Sequence, residues 1–543
     1  MTDTGESLGD SGASRFSSRP NSRIEHKPST ITDIKAIERL SLPWRVDKRQ
    51  ELRRKFRKLS TISFTSCVMG TWEVSLTANA PGFMGGGAAG LFWTLVICYV
   101  GQFFIILSLA EMVLLVQDML TISENSLTFM HRPPSRRQVP DNLAPERSRR
   151  YLSYCSGVLA CVGWQSIIAA DAFIISGSMQ NLIEILHPSY EPQKWQLTLL
   201  TIAVAVAFSA ISILASSHLS LMEGLFAVCH IYAFVPIVLS IWILADHSPA
   251  SKVFFHFSGG GGWPSTTLSA MTGQITSIFI CLGTDSIMHL SEEISEPGKL
   301  VPQAMVWSYV LNAPMMFLMV AANAINVAGM DQKVIAYSEF NYIWSIKNAI
   351  QDRGAQAGFA IVVVLLLSMS SITVIAATSR LTLSFARDNG LPFSNWIRQK
   401  NKYTKSPVNA ILVTALFTSG LSLIRTFSIT SLRIALSMAA ASLMAAYLLA
   451  IGCLIRKRLR REAIPTSQWT LGKYGLACNL IAFAYALWSF LWSFAPPFYQ
   501  VAGDSFNWTS VILPMLMMLA SLLFFAGKVK YRVPVGRVSS WQT

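Results

Sequence analysis

The chain has 543 residues, 52% of them hydrophobic and 13% charged, with a formal net charge of +15 and a mean hydropathy of +0.43. Soluble domains carry about 25% charged residues, so a water-soluble globule is excluded: this chain has too little charge to cover its surface. Nucleic-acid binding is not implied by the positive balance, because the basic residues gather between long apolar runs, as they do when charge fixes membrane topology.

Residues 1–44 are rich in Ser, Thr and charge, and residues 1–40 contain no apolar signal-peptide core. This stretch predicts a disordered cytosolic tail. Residues 45–527 then form a transmembrane domain and 528–543 a cytosolic C-terminal tail. A helix needs about 20 apolar residues to cross the hydrocarbon core. Twelve segments qualify, at roughly 59–80, 87–113, 152–183, 197–215, 220–245, 267–290, 301–327, 357–380, 407–424, 428–455, 472–494 and 508–526. The loops between them alternate in charge. One side holds dense basic runs: Arg53 to Lys58, Arg147 to Arg150, Arg398 to Lys405, Arg456 to Arg461, and Lys528 to Arg532. The other holds single residues: Lys194, Lys252, Lys333, Lys347, Arg353 and Arg425. That alternation puts both termini in the cytosol. A sequon at Asn507-Trp508-Thr509 falls on the outer side but hugs the last span, and is read as unused.

Two spans contain a break in the pattern. In the first, Met69-Gly70-Thr71-Trp72-Glu73 puts a Gly, a hydroxyl and a carboxylate roughly 15–22 Å into the bilayer, counted from Lys58. In the sixth, Leu282-Gly283-Thr284-Asp285-Ser286 repeats the order Gly, hydroxyl, acid. Transporters bind substrate at the midplane where helices are interrupted, and corresponding breaks in spans one and six suggest two inverted five-helix halves. For Gly70 and Gly283 the plainer alternative is close helix packing. A carboxylate in a membrane must be protonated, paired or wet. A protonated Glu73 or Asp285 suits proton coupling, and an ionised one suits a substrate ammonium. Asp171 in the third span, Glu223 and His230 in the fifth, and His289 are secondary candidates. His289, Glu292 and Glu293 read as a solvated rim or gate at the end of span six. Trp72 and Trp164 offer aromatic faces for an amine, with core packing the alternative. The 8 Cys form no metal pattern and read as small hydrophobes. No cofactor is expected. His289 has no nucleophile beside it at catalytic spacing, so no enzyme is expected either.

At these breaks the chain resembles the fungal amino acid/choline permeases of the amino acid–polyamine–organocation (APC) superfamily. Gly70-Thr71-Trp72-Glu73 is similar to that family's first span. Gly85-Gly86-Gly87-Ala88-Ala89-Gly90-Leu91 through Leu109-Ala110-Glu111-Met112 is similar to its second, and Gly163-Trp164-Gln165 to its third. Two motifs are specific. One is Leu282-Gly283-Thr284-Asp285 followed by Met288-His289-Leu290-Ser291-Glu292-Glu293. The other is Ser379-Arg380 with Phe385-Ala386-Arg387-Asp388-Asn389-Gly390-Leu391-Pro392-Phe393. The resemblance covers roughly 40–530 and implies an all-α membrane fold of two inverted five-helix repeats with broken helices one and six, plus two extra helices. It implies a site at the breaks, carried over to Met69, Gly70, Thr71, Leu282, Gly283, Thr284 and Asp285, to which the residues' own chemistry adds Trp72 and Glu73. It also implies uptake of an amino acid, γ-aminobutyrate, choline or a polyamine, usually driven by protons, with Glu73, Asp285 and Asp171 as the coupling candidates.

The chain departs from the family in three places. Thr284 stands where an aromatic is usual, and Asp171 where a small residue is usual. Within an atypical loop at 113–150, residues 113–139 lack the family's Pro-Thr-x-Gly-Gly-x-Tyr segment, which points to a divergent loop or to translated intron. The expected function is therefore secondary active import across a membrane, the plasma membrane before the vacuolar one. The partners are a small amine or amino acid, protons and lipid. The alternatives are a nutrient sensor on a transporter fold and an inactive relic.

Overall fold

The structure, a computed structural model, describes residues 58–114, 146–216, 218–245, 247–294, 296–328, 342–401, 406–461 and 469–531. The expected tail at 1–44, nearly all of the atypical loop and residues 532–543 lie outside them. Fourteen helices carry the architecture. In order they are α1 (Lys58–Met69), α2 (Thr71–Thr77), α3 (Ala80–Leu114), α4 (Glu146–Leu186), α5 (Lys194–Ala215), α6 (Leu219–Leu244), α7 (Thr266–Ile280), α8 (Ser286–His289), α9 (Pro297–Val327), α10 (Arg353–Arg387), α11 (Val408–Ser422), α12 (Ser431–Leu459), α13 (Gly475–Trp492) and α14 (Thr509–Phe525).

Among the described residues nine helices are long and apolar enough to cross a membrane, and α14 is a shorter apolar helix. Spans one and six each come in two pieces, α1 with α2 and α7 with α8. Together these make the twelve spans the hydropathy predicts, in the predicted places. On α6, Leu221, Leu225, Ile231, Tyr232, Val235 and Ile243 all lie exposed. So long an apolar face has no place in water, and a helix satisfies most of its backbone groups internally, as hydrocarbon requires.

The packing of spans repeats itself. Span six (α7) lies along span two (α3), and span one (α1 and α2) lies along span seven (α9). Span three (α4) packs on span ten (α12), and span eight (α10) on span five (α6). Adding or subtracting five from each span number turns one pair into its counterpart, which is the signature of two five-helix repeats of opposite direction. Spans eleven (α13) and twelve (α14) flank spans two, three and ten.

Small residues set the closest contact. A Cβ added at Gly85 of α3 would lie 2.5 Å from the Cα of Gly273 in α7, and one at Gly86 would lie 3.0 Å from the Cβ of Ala270. The glycine-rich run of span two thus lets two backbones meet, as small residues do in membranes. Asn507 of the sequon is buried and donates to the Ser493 carbonyl at 3.0 Å. At the far end of the chain, Val529 and Tyr531 are buried. The Tyr531 hydroxyl shares a 2.8 Å hydrogen bond with Ser153, and its carbonyl accepts from Arg150 Nε at 2.9 Å, so the start of the C-terminal segment docks on the start of α4.

Candidate functional site

The two predicted interruptions are real, and both are made by glycine backbone. Gly70 sits between α1 and α2 with φ 45° and ψ 41°, the left-handed region. Gly283 sits between α7 and α8 with φ 105°. L-residues avoid both conformations. Space is not what selects glycine at position 283: an added Cβ there would meet nothing nearer than 3.5 Å. The packing alternative therefore fails at Gly283, and the backbone conformation is the reason for the residue.

The two breaks touch. The closest atom to that added Cβ is the Cα of Met69, the last residue of α1. Around this crossing runs a cleft lined by Met69, Val74, Leu282, Gly283 and Ser370, with Asp171 of α4 on its wall. Its cavity volume is about 20 Å³, room for a water molecule and not for an amino acid. The rest of the lining is apolar: Val68, Ile167, Ile175, Phe279 and Leu367. Ser370 does not offer its proton to the cleft, since its hydroxyl donates to the Cys67 carbonyl at 2.7 Å. Gly283 contributes an N–H group that makes no hydrogen bond among the described residues.

The three acids of the candidate set sit in different surroundings. Glu73, in the first turn of α2, is fully buried and faces away from the cleft. Its Oε1 lies 2.6 Å from Nδ1 of His230 on α6. The other ring nitrogen, Nε2, is 3.1 Å from the Asn312 side-chain oxygen on α9, which also accepts from Thr71 Oγ1 at 3.1 Å. Trp72 donates its indole N–H to the His230 carbonyl at 3.1 Å. Thr71, Trp72 and Glu73 thus form a cluster with spans five and seven, and Trp72 is sealed in the core rather than open to an amine. Glu73 Oε2 has no partner among the described residues.

Asp285 precedes α8. Its Oδ2 accepts from the Trp164 indole N–H at 3.2 Å, and the buried Tyr447 hydroxyl of α12 faces the same carboxylate. Trp164 also packs edge-on against His289, ring centroids 5.2 Å apart. His289 is buried rather than part of a solvated rim, and neither ring nitrogen has a partner among the described residues. Asp171 is the third acid. It borders the cleft itself, half-buried, with no hydrogen bond, ion pair or charged neighbour among the described residues.

Of the residues expected at the site, Met69, Leu282, Gly283 and Asp171 line the cleft, and Gly70 makes the adjoining break. Thr71, Trp72, Glu73, Thr284 and Asp285 do not line it. A further buried acid, Glu223 of α6, accepts from Thr373 Oγ1 at 2.7 Å beside the first break. Asn312, Ser370 and Tyr447 escaped the sequence reading. The available signal was a polar side chain in the middle of spans seven, eight and ten.

Beyond α8 the two specific motifs pair with each other. Glu293 accepts from Arg380 Nε at 2.7 Å, and Glu292 from Arg387 at 3.2 Å. The first pair is nearly buried, and the side chains of the second are about a quarter exposed. These acids are a clamp between the segment after span six and the end of span eight, not a solvated rim. Arg458 of α12 and Glu111 of α3 form a third pair at 2.5 Å.

Comparison with known proteins agrees with this architecture. A family model described as amino acid permease matches residues 56–520. An uncharacterized amino-acid permease of Schizosaccharomyces pombe is 24% identical over 90% of this chain and 88% of its own. Amino-acid permease 2 of Neurospora crassa is 22% identical over 93% of this chain and 90% of its own. The choline transporter of Saccharomyces cerevisiae is 25% identical over 68% of this chain and 66% of its own. With two glycine-broken spans crossing at a cleft, and with the family model spanning nearly the whole described helix bundle, the chain belongs to the amino acid permease family and is a fungal-type membrane transporter of the APC superfamily.

Proposed function

We propose that this protein is a proton-coupled secondary transporter that imports an amino acid or small amine by alternating access at the cleft between the two breaks. The observation that carries this reading is the position of α2. One face of its first turn presents Val74 to the cleft. The adjacent residue, Glu73, holds His230 at 2.6 Å on the other side. A proton gained or lost by the Glu73–His230 pair changes the bond that ties α2 to spans five and seven. A substrate in the cleft presses on the same turn. Two sites bias one element, which is what coupling requires.

The cleft as it stands is too small for a substrate, so entry needs the halves to separate on one side. Release toward the end that carries Arg380–Glu293 and Arg387–Glu292 needs those pairs to open. The basic runs in alternate loops support cytosolic termini, which puts the end carrying these ion pairs on the cytosolic side, where an imported substrate would leave.

The test is radiolabelled uptake into cells expressing the protein, against a panel of amino acids, γ-aminobutyrate and choline, across a range of external pH. The expected result is saturable uptake of at least one substrate that rises as the outside is made acidic. Glu73→Gln should flatten that pH profile while the protein still reaches the membrane. Unchanged pH-dependent uptake by Glu73→Gln would remove Glu73 from the coupling mechanism.

A further inference from the structure

We infer that Asp171 is the counter-ion for the substrate's cationic nitrogen and sets the site's preference for a charged amine. The inference rests on the transporter reading above and deepens it. Four observations lead to it. First, four acids lie near the breaks, and three already hold a partner: Glu73 with His230, Asp285 with Trp164 and Glu223 with Thr373. Second, Asp171 borders the cleft and has no hydrogen bond, ion pair or charged neighbour among the described residues. Third, the remaining lining supplies no cationic side chain and is otherwise apolar apart from Ser370, whose hydroxyl is committed to the Cys67 carbonyl. Fourth, Asp171 shares the cleft lining with Met69 and Gly283, so a molecule seated against those residues lies in the same small cavity as its carboxylate.

An unpaired carboxylate in apolar surroundings costs free energy that a structural role does not return. A cation arriving in the cleft returns it, because the charge pair forms where water is scarce and the attraction is weakly screened. The apolar wall of Ile167, Ile175, Phe279 and Leu367 suits the methyl or methylene groups that surround such a nitrogen. The ligand chemistry is thus a protonated or quaternary amine on an aliphatic body. A zwitterion meets the same carboxylate through its ammonium, with the open Gly283 N–H left for its carboxylate. A net cation needs only Asp171.

The experiment measures charge discrimination directly. Uptake of whichever panel substrate the wild-type protein carries is competed with choline and with its uncharged isostere, 3,3-dimethylbutanol. Wild type should favour the cation by about tenfold or more, the ratio that one charge-assisted contact supplies. Asp171→Asn, and the smaller Asp171→Ser in case Asn disturbs packing, should bring the ratio near one and raise KM for the amine. Asp171→Glu should keep most of the preference. An unchanged ratio in either neutral variant overturns the assignment while leaving the transporter reading intact. A neutral variant that loses pH dependence but keeps the ratio also overturns it, and makes Asp171 a proton carrier. A wild-type protein that carries no amine or amino acid in the panel overturns the transporter reading first, and this inference with it.

Discussion

Substituting Gly283 by alanine isolates what the second break contributes. The added methyl has room, since its nearest neighbours are ordinary contacts at 3.5 Å. The cost comes from the backbone: at φ 105° an L-residue lies outside its comfortable regions, and such strain is worth about 1–3 kcal/mol. That energy weighs against the broken conformation and favours one that straightens span six through the cleft. Population arithmetic then gives a loss of roughly 5- to 150-fold in the binding-competent state. Two controls bracket it. Gly358 of α10 is helical with nothing within 4 Å of an added Cβ, so Gly358→Ala should be neutral or stabilise by about 1 kcal/mol. At Gly85 the Cβ would sit 2.5 Å from Gly273 Cα, so Gly85→Ala should damage assembly itself. The assay is uptake KM, normalised to surface protein, with monodispersity in detergent as the folding readout. Gly283→Ala should fold like wild type and bind far worse. If it proves as harmless as Gly358→Ala, the glycine break does not shape the site.

Two further expectations follow from single bonds. Removing either partner of the nearly buried Arg380–Glu293 pair leaves an isolated charge, which costs about 3–5 kcal/mol for buried pairs. Arg380→Ala or Glu293→Ala should lower thermal stability in detergent, and the exchange Arg380→Glu with Glu293→Arg should recover a substantial part of it. Trp164→Phe keeps the ring against His289 but deletes the N–H that Asp285 accepts. At about 1–3 kcal/mol for an abandoned buried acceptor, uptake should fall about tenfold or more, and Trp164→His should retain more activity than Phe.

Span number and position were legible because a bilayer demands a long apolar run whatever the tertiary contacts. The breaks were legible too, since glycine followed by a hydroxyl and an acid is costly in hydrocarbon unless the helix stops there. What could not be read was partnership. Glu73 meets His230 across 157 positions of sequence. Glu293 and Glu292 meet Arg380 and Arg387 across 87 and 95. Nothing local distinguishes an acid that a distant residue will neutralise from one left open. Glu73 and Asp285 therefore ranked above Asp171, because each stands beside a glycine, while the acid that borders the cleft lies in an unbroken helix with no punctuation to mark it. His289 looked like a rim residue from its place near the end of a span, and only the crossing of Trp164 over it put it in the core.

The contact between Gly85 and Gly273 bears on how such a molecule moves. With backbone against backbone at that point there are no side chains to yield, and beyond the kink at Gly87 (φ 65°, ψ −162°) the Thr94 and Ser277 hydroxyls, 3.0 Å apart, tie α3 to α7 again. On the alternating-access reading proposed above, the movement that exposes the cleft would fall past Cys281, to the four-residue turn of α8 next to the glycine break at Gly283. On the same reading, a shift of this turn would draw on Glu292 and Glu293 just beyond it, and so on the pairs they make with Arg387 and Arg380.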